Sequence, residues 1–379
     1  MFTIANGTIL KGDNLAPFKG NILIDDGKIV EISKDVLEGD IIDATDCIVS
    51  PSFLNAHTHI GDSIIKDQGY GLTFDEIIKA PNGIKHLALN DVEDEDIINA
   101  MKLSMWDMLN SGTTHFIDYR ESGVKGIKLL KEASKDIPIN KTILGRDDSF
   151  YTKEPDLKSV KIAIRKILKV GDGIAPSGFG EITEEVAILI SEECAKKGKI
   201  SSIHVGETID SQNAALETYG KSEIELATEN NFTQLVHCTN PNNKDLELLN
   251  NKNITVCPRA NSALGVGMPP LYDFIVKNIP LNIGTDNLMV NSPNMLRELE
   301  FTFKQLQLHS KTYVGPKEIL KIATIPHGIN IEKSSIKEGN FSEIFISKSL
   351  SKNPYLSVIN RIETKHIINI INKDRIIKY

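Results

Sequence analysis

The sequence predicts an α/β protein, a (β/α)₈ TIM-type barrel with a small β-sandwich domain formed by both termini. In the middle of the chain, strand and helix patterns alternate at steps of about thirty residues, the length of one βα unit. The two ends lack this alternation and have the pattern of β-strands. We therefore expect residues 1–50 plus 330–379 to form one composite β-domain, with a barrel at residues 51–329.

The β-pattern at the N-terminus is a hairpin signature. Residues 21–24 and 28–32 are rich in isoleucine, leucine and valine, and Asp26-Gly27 separates them with a favoured two-residue turn. Residues 40–44 add another short strand, and residues 342–346, 366–371 and 375–377 have the same character at the C-terminus. Matching ends around an α/β middle predict that the two termini share one domain.

Eight strand ends can be placed in the middle of the chain. They lie near Leu54, Phe116, Leu144, Ala175, Ile203, Val236, Val256 and Ile283. Helical periodicity fills most of the intervals, for example at residues 94–109 and 184–197. The interval after the first strand is nearly twice as long as the others. We expect its extra segment, residues 60–90, to be a lid-like loop over the barrel mouth, with His86 as a side chain that could reach inward.

Composition and charge fit a cytoplasmic enzyme that acts on a small molecule. The chain has 379 residues and a net charge of −8, the wrong sign for a nucleic-acid or anionic-membrane partner. Its four cysteines lie in apolar contexts without C-x-x-C spacing, which predicts buried free thiols and a reducing compartment. Residues 1–7 lack the basic and apolar regions of a signal peptide, and no apolar stretch approaches about 18 residues, so we expect neither a signal peptide nor a membrane helix. Assembly into a homo-oligomer is compatible with all of this.

Ligand-type side chains follow several of the predicted strands. His57 and His59 stand two residues apart at the end of a strand, so their rings leave it on one side. His204, His237 and Asp286 each end a later strand, and strand ends meet at the mouth of a barrel. Imidazole nitrogen and carboxylate oxygen suit Zn²⁺ or Fe²⁺, which can lower the pKa of a bound water to about 7.

The segments H-T-H, H-V-G-E, L-V-H and G-T-D-N, in this order, resemble the amidohydrolase superfamily. More narrowly they resemble its mononuclear metal-dependent deaminase branch, the relatives of cytosine, S-adenosylhomocysteine and guanine deaminases. The resemblance covers nearly the whole chain. It implies one divalent metal ion, with Zn²⁺ favoured over Fe²⁺, and the ligands that it implies are His57, His59, His204 and Asp286.

The resemblance also implies catalytic roles. Glu207, three residues after His204, matches the glutamate that shuttles protons, and His237 matches the histidine that orients the attacking water. Binuclear members carry a carboxylated lysine at the end of strand 4. Residues 173–178 stand there in this chain and contain no lysine, so a single metal ion is expected.

Deamination of a ring carbon requires a hydroxide, a proton for the ring nitrogen and a proton for the departing ammonia. Two carboxylates in different surroundings, Glu207 and Asp286, can divide the acid and base roles. The sequence therefore predicts a metal-dependent hydrolase of a small cyclic C–N substrate, most simply an aminohydrolase that releases ammonia from a nucleobase- or pterin-like ring. Two alternatives stay open, an imidazolonepropionase-like cyclic amide hydrolase and a non-catalytic metal-binding barrel.

The substrate side of the site departs from the deaminase pattern. Many members carry a histidine in a P-H-A/S-P-Y stretch, and here residues 175–180 read A-P-S-G-F-G, which argues against an S-adenosylhomocysteine or methylthioadenosine substrate. Arg120 and Arg146 follow strands 2 and 3 and could bind an anionic or carbonyl-rich substrate, or instead form salt bridges with neighbouring acids. Further polar candidates for substrate binding are Arg259, Asn261 and Asn287.

Overall fold

The structure, a computed structural model, describes residues 1–78, 83–331 and 335–378, without the side chains of His86 and Asn90. The prediction that His86 reaches inward therefore concerns a side chain outside the described residues. The strands are β1 (Phe2–Lys11), β2 (Ala16–Asp25), β3 (Lys28–Ser33), β4 (Asp40–Asp43), β5 (Cys47–Pro51), β6 (Phe53–His59), β7 (Thr113–Arg120), β8 (Asn140–Gly145), β9 (Gly173–Ile174), β10 (Ile200–Val205), β11 (Gln234–His237), β12 (Ile254–Val256), β13 (Leu281–Ile283), β14 (Asp286–Asn287), β15 (Glu343–Lys348), β16 (Ile367–Asn372) and β17 (Arg375–Lys378).

Helices follow most of the central strands. They are α1 (Phe74–Ile78), α2 (Ile84–Asn90), α3 (Asp94–Asn110), α4 (Gly123–Ala133), α5 (Leu157–Val170), α6 (Glu184–Lys196), α7 (Ile209–Tyr219), α8 (Glu223–Glu229), α9 (Asn243–Leu248), α10 (Pro258–Ala263), α11 (Leu271–Val276), α12 (Met295–His309), α13 (Pro316–Thr324) and α14 (Pro354–Asn360). The helical spans predicted at 94–109 and 184–197 agree with α3 and α6.

Both ends of the chain contribute to one sheet. Its order is β17-β16-β15-β5-β1-β2-β3, with β4 beside β1, and β15 joins the C-terminal strands to β5 in antiparallel register. The predicted hairpin is confirmed, because β2 and β3 pair around Asp26 and Gly27, which have φ values of 47° and 70°. A separate apolar core lies on this sheet, and Ile4, Ile9, Ile22, Val49 and Ile344 belong to it. The eight strands are joined in one hydrogen-bonded sheet, so the sandwich arrangement stays a prediction.

The central strands form a second, parallel sheet, which confirms the predicted α/β class. Its order is β13-β12-β11-β10-β9-β8-β7-β6-β14. Only Gly284 and Thr285 separate β13 from β14, yet β13 pairs with β12 and β14 pairs with β6, at the opposite end of the order. Together, β13 and β14 thus pair with both ends of the strand order, and β14 brings Asp286 beside Thr58.

The segment between β6 and β7 differs from the predicted loop, since it contains a 3₁₀ helix at Ile60–Ile65 as well as α1 and α2. Its apolar side chains have a partner surface of their own. Ile65 and Ile77 are buried with Met289, and Ile84 packs against the same cluster. Because Met289 follows β14, this packing ties the segment to the loop after the last strand.

The C-terminal region also differs from the all-β prediction, because it contains α14. Asn353 caps this helix by accepting hydrogen bonds from the backbone N–H groups of Tyr355 and Leu356, and Pro354 occupies the first turn. Val358 and Ile359 are buried in the large core that the helices around the parallel sheet share. The Asn-Pro pair was a helix-start signal that a β-pattern alone obscured.

Two further observations concern single features of the described residues. All four cysteines are buried and free, as predicted. No described helix combines the length and the apolar character needed to cross a membrane.

Candidate metal and catalytic site

Residues of two sequence motifs hold β6 against the segment that joins β13 to β14. Asn55 donates from Nδ2 to Thr285 Oγ1 over 2.8 Å and accepts at Oδ1 from the Thr285 backbone N–H over 2.9 Å. A Cβ on Gly284 would lie 2.5 Å from the His57 backbone nitrogen, so only glycine allows this approach. The N-A-H-T-H and G-T-D segments therefore fix His57 and Asp286 relative to each other.

Four histidines and one aspartate converge at this point. The ring centroid of His57 lies 5.0 Å from those of His59 and His204 and 5.7 Å from that of His237. Asp286 Oδ1 lies 2.9 Å from His57 Nε2 and 3.5 Å from His59 Nε2. Ligand-type atoms lie within 4.8 Å of one another in two sets, His57 with His59 and His204, and His57 with His237 and Asp286. All five predicted residues thus meet in one cluster.

The donor atoms of this cluster fit a divalent metal ion. Both ring nitrogens of His57 are buried and make no hydrogen bond, although Nε2 faces the Asp286 carboxylate. The unprotonated nitrogen of a neutral imidazole and a carboxylate oxygen are both acceptors, so a cation between them would satisfy both. His204 Nδ1 lies 3.2 Å from the carbonyl oxygen of Pro176, a contact that suits an N–H donor and leaves Nε2 for a metal.

Electrostatics in the cluster also favour metal ligation. Burial lowers the pKa of His59 to about 3, with Lys85 adding to the effect, and burial together with the neighbouring imidazoles lowers the pKa of His204. Burial alone would raise the pKa of Asp286, but His57 and the other histidines bring that pKa below its usual value. His59 and His204 are therefore neutral imidazoles and Asp286 is an ionised carboxylate, which are the protonation states that bind metals.

His237 and Glu207 form the second part of the site. His237 Nδ1 lies 3.0 Å from Asn261 Oδ1, and its Nε2 lies 3.5 Å from Glu207 Oε2. Burial raises the pKa of Glu207 to about 7, which places its titration near neutrality. His237 and Asp286 have φ values of 71° and 61°. Such left-handed backbone costs about 1–3 kcal/mol at a non-glycine residue and is concentrated at functional sites.

A cavity of about 480 Å³ opens beside the cluster. Its wall includes His59, His204, His237 and Asp286 from the cluster, together with Glu207. The segment after β6 supplies another part of the wall, formed by Phe74, Asp75, Ile78 and Lys85. These four residues thus bring part of the described segment to the cavity, and a lid formed by residues 60–90 stays a prediction.

A network of buried charges lies next to the cluster, and two of its residues, Lys85 and Arg146, line the cavity. Salt bridges between the arginines and neighbouring acids were one predicted alternative, whereas Asp62 and Lys85 were missed. The centre of the network is Glu121, which forms ion pairs with Arg120, Arg146 and Lys85, the last over 3.2 Å. Lys85 also reaches Asp62 over 2.6 Å, and Arg120 reaches Asp118 over 3.7 Å. The missed residues Asp62 and Lys85 carry no motif. The only available signal was their charge within otherwise apolar or glycine-rich stretches.

The five residues predicted to bind substrate have different positions. Arg146 and Asn287 line the cavity. Arg120, Arg259 and Asn261 are not among its lining residues. Arg120 faces Glu121 and Asp118, which is the salt-bridge alternative, and Arg259 pairs with Glu298 over 3.5 Å. Asn261 stands behind His237 and donates to Thr239 Oγ1 over 2.7 Å.

Residues 48–378 match the family model described as the amidohydrolase family, and the chain belongs to that family. It is accordingly a hydrolase that acts on carbon–nitrogen bonds other than peptide bonds. A protein named "Putative aminohydrolase" from Methanothermobacter thermautotrophicus is 43% identical over 381 residues, which cover 100% of this chain and 99% of that relative.

Two further comparisons add a named activity and a solved fold. A 5'-deoxyadenosine deaminase from Methanosarcina acetivorans is 26% identical, with 89% of this chain and 81% of that protein covered. The crystal structure of an adenosine deaminase from Xanthomonas campestris with bound zinc superposes with a TM-score of 0.85 at 15% identity, over 99% of this chain and 92% of that one. The resemblance to the amidohydrolases, and to their deaminases, is thus confirmed.

Proposed function

We propose that this chain is a mononuclear, metal-dependent aminohydrolase that releases ammonia from a small nucleobase- or pterin-like ring. The observation that carries the proposal is the cluster of His57, His59, His204 and Asp286, whose ligand-type atoms belong to two close sets that share His57, with both ring nitrogens of His57 unpaired. We propose Zn²⁺ as the ion, because three imidazoles and one carboxylate suit it. When bound, the ion would supply an activated water close to the cavity.

A single ion is supported by the surroundings of the cluster. His59, Asp62 and Glu121 also offer ligand-type atoms within 4.8 Å of one another, so they could form a second site. The Lys85 ammonium already lies 2.6 Å from Asp62 and 3.2 Å from Glu121, and two arginines also contact Glu121. The repulsion of a second divalent ion by these cations favours one metal per chain.

The remaining residues divide the proton transfers between them. Glu207, with its raised pKa, would be protonated near neutral pH and could donate to the ring nitrogen that becomes basic during attack. Asp286 stays ionised and could accept a proton from the attacking water and pass it to the departing amine. Asn261 accepts a hydrogen bond from His237 Nδ1–H, which keeps the other ring nitrogen directed toward the site.

The polar side chains of the cavity wall favour a ring substrate that bears a carbonyl group. Arg146 donates to Ser177 Oγ over 3.2 Å, at the position where related deaminases carry a histidine, and both residues line the cavity. A guanidinium fork suits paired acceptors better than an adenosine-type amino group. Asn287 is the second polar residue of this wall that was predicted to bind substrate.

We also propose that the parallel sheet closes into an eight-stranded barrel, since β13 pairs at one edge of the sheet and β14 pairs at the other. We keep the division into a composite β-domain of residues 1–50 plus 330–379 and a barrel of residues 51–329, with residues 60–90 as its lid.

Ammonia release from a panel of rings tests the proposed function. The panel contains cytosine, guanine, adenine, an aminopterin-type ring, adenosine and 5'-deoxyadenosine, with the Glu207→Gln variant as the inactive control. We expect turnover of at least one oxo-substituted ring and poor turnover of the two nucleosides. Ring opening without ammonia would replace the proposal with a cyclic amide hydrolase, and efficient turnover of 5'-deoxyadenosine would contradict the proposed substrate class.

A further inference from the structure

Lys85 is an unusual residue of the cavity wall because it is both cationic and almost completely buried. It belongs to α2, in the segment after β6, and only 2% of its surface is exposed. Its ammonium reaches Asp62 Oδ2 over 2.6 Å and Glu121 Oε1 over 3.2 Å. An ammonium group has three N–H donors, so the two contacts leave one donor without a protein partner among the residues that the structure describes.

The position of the ammonium is set by the oxygen that it shares with its neighbours. Glu121 Oε1 contacts Lys85, Arg146 and, over 3.5 Å, His59 Nδ1. Lys85 and Arg146 therefore stand on either side of one carboxylate oxygen, next to a proposed metal ligand. Lys85, Arg146 and His59 all line the cavity.

The charges of this network balance. Lys85, Arg120 and Arg146 provide three positive charges, and Asp62, Asp118 and Glu121 provide three negative charges. Burial lowers and the two acids raise the pKa of Lys85, with the balance above its ordinary value, so the ammonium keeps its proton. A charge network that is neutral as a whole but rich in donors suits an uncharged ring with an acceptor atom better than an anion.

We propose that Lys85 is a specificity-determining residue, which donates a hydrogen bond to a carbonyl oxygen of the ring substrate beside the metal cluster. The inference rests on the proposed deaminase function and adds the group that distinguishes its substrates. A ring that lacks the carbonyl would leave the buried donor unpaired. Sites built on such donors reject the mismatched analogue strongly, by about 10⁴–10⁵-fold in the most discriminating enzymes.

Matched substrate pairs isolate this contact. Cytosine and 4-aminopyrimidine differ by one carbonyl, as do guanine and 2-aminopurine, and each member keeps the amino group that would leave as ammonia. The measurement is the ratio of kcat/KM within each pair, with bound metal determined on the same preparations. We expect the wild-type enzyme to prefer the carbonyl-bearing member of an accepted pair by at least about 10²-fold.

The variant must remove the donor without leaving an unpaired charge in the interior. Lys85→Met/Asp62→Asn removes one charge of each sign, so the network stays neutral. The matched control is Lys125→Met/Asp94→Asn, which makes the same changes in an exposed pair joined over 2.8 Å. We expect the first variant to keep its metal and to lose at least about a factor of ten in the ratio, the low end of what a lost hydrogen bond to a charged donor costs. The control should keep the wild-type ratio.

The outcomes separate the inference from the function on which it rests. If the wild-type enzyme releases ammonia from an accepted pair and the ratio is the same in the Lys85→Met/Asp62→Asn variant, Lys85 does not determine specificity and the proposed function stands. A wild-type ratio near one has the same meaning. If no ring yields ammonia, the proposed function fails, and the inference fails with it.

Discussion

Two groups of buried polar side chains, one on each side of the His59 ring, differ in how their polar atoms are paired. On one side, His57, His59, His204 and Asp286 bring ligand-type atoms close together, and neither ring nitrogen of His57 makes a hydrogen bond. On the other side, Lys85, Arg120 and Arg146 are paired with Asp62, Asp118 and Glu121. The first side is electrostatically incomplete, as expected of the proposed metal site, whereas the second side contains its own cations.

Whether the buried polar groups of a cluster are paired indicates whether that cluster binds a ligand. Buried polar groups that lack partners cost free energy, so a cluster of them indicates a ligand that completes it. A balanced network can instead serve as a rigid wall with a few donors directed at the substrate. His59 links the two sides, because its Nε2 faces Asp286 and its Nδ1 faces Glu121.

The largest expected effect is loss of the incomplete side. The His57→Ala/His59→Ala double variant should lose bound metal and ammonia release, because two of four proposed ligands are gone. The loss of metal affinity should exceed the roughly 10–100-fold that removal of an outer-shell partner causes. Metal analysis and an ammonia assay measure both quantities, and a double variant with full metal occupancy would contradict the proposed ligand set.

The balanced side should respond in stability when one charge is removed. Glu121→Gln leaves three buried cations with two carboxylates, and breaking a buried ion pair in this way costs about 3–5 kcal/mol of unfolding free energy. The comparison variant is Lys125→Met, which breaks an exposed pair and should change stability by no more than about 1 kcal/mol. Denaturant unfolding measures the loss of unfolding free energy in both variants. Equal losses would contradict a stabilising role for the buried network.

Glu207 tests the chemistry rather than the metal. Glu207→Gln should keep its fold and metal, since Glu207 is not one of the four proposed ligands. Its kcat should fall by at least about 10²-fold, the scale of general acid–base catalysis. Steady-state kinetics on metal-loaded protein make the measurement. An unchanged kcat would assign the proton transfer to another group.

The raised pKa of Glu207 gives a pH dependence with a defined sign. Burial raises this pKa from the ordinary 4.5 to about 7, so the carboxyl is protonated below about pH 7 and ionised above it. If the protonated form donates to the ring nitrogen, kcat/KM should fall as the pH rises through about 7. The same limb should be missing from the residual activity of Glu207→Gln, and a limb that persists there would belong to a different residue.

The incomplete side could be predicted from the sequence because its residues follow strand ends in short motifs. His57 and His59 share a face by strand geometry, and the pairing of β14 with β6 then brings Asp286 to them. Glu207 and His237 were recognised by their position relative to His204 and to a strand end. The hairpin at Asp26-Gly27 was predictable for a similar reason, since its turn geometry is local.

The balanced side could not be predicted in the same way, because its contacts join segments that have no common motif. Lys85 lies on a short helix in a segment that was expected to be a loop, and its partners Asp62 and Glu121 follow different strands. Whether Arg120 meets the substrate or a neighbouring acid depends on side-chain packing. Asn261 was assigned to the cavity wall from its position after a strand, and its contact with His237 depends on a neighbouring strand.

The number of metal ions per chain tests the central claim most directly. Purified protein would be equilibrated with excess Zn²⁺, freed of loosely bound ions and measured by elemental analysis against protein concentration. We predict one tightly bound ion per chain, held by His57, His59, His204 and Asp286. The neighbouring carboxylates of Asp62 and Glu121 are already paired with Lys85, which disfavours a second ion. Two tightly bound ions per chain, or none, would contradict this prediction.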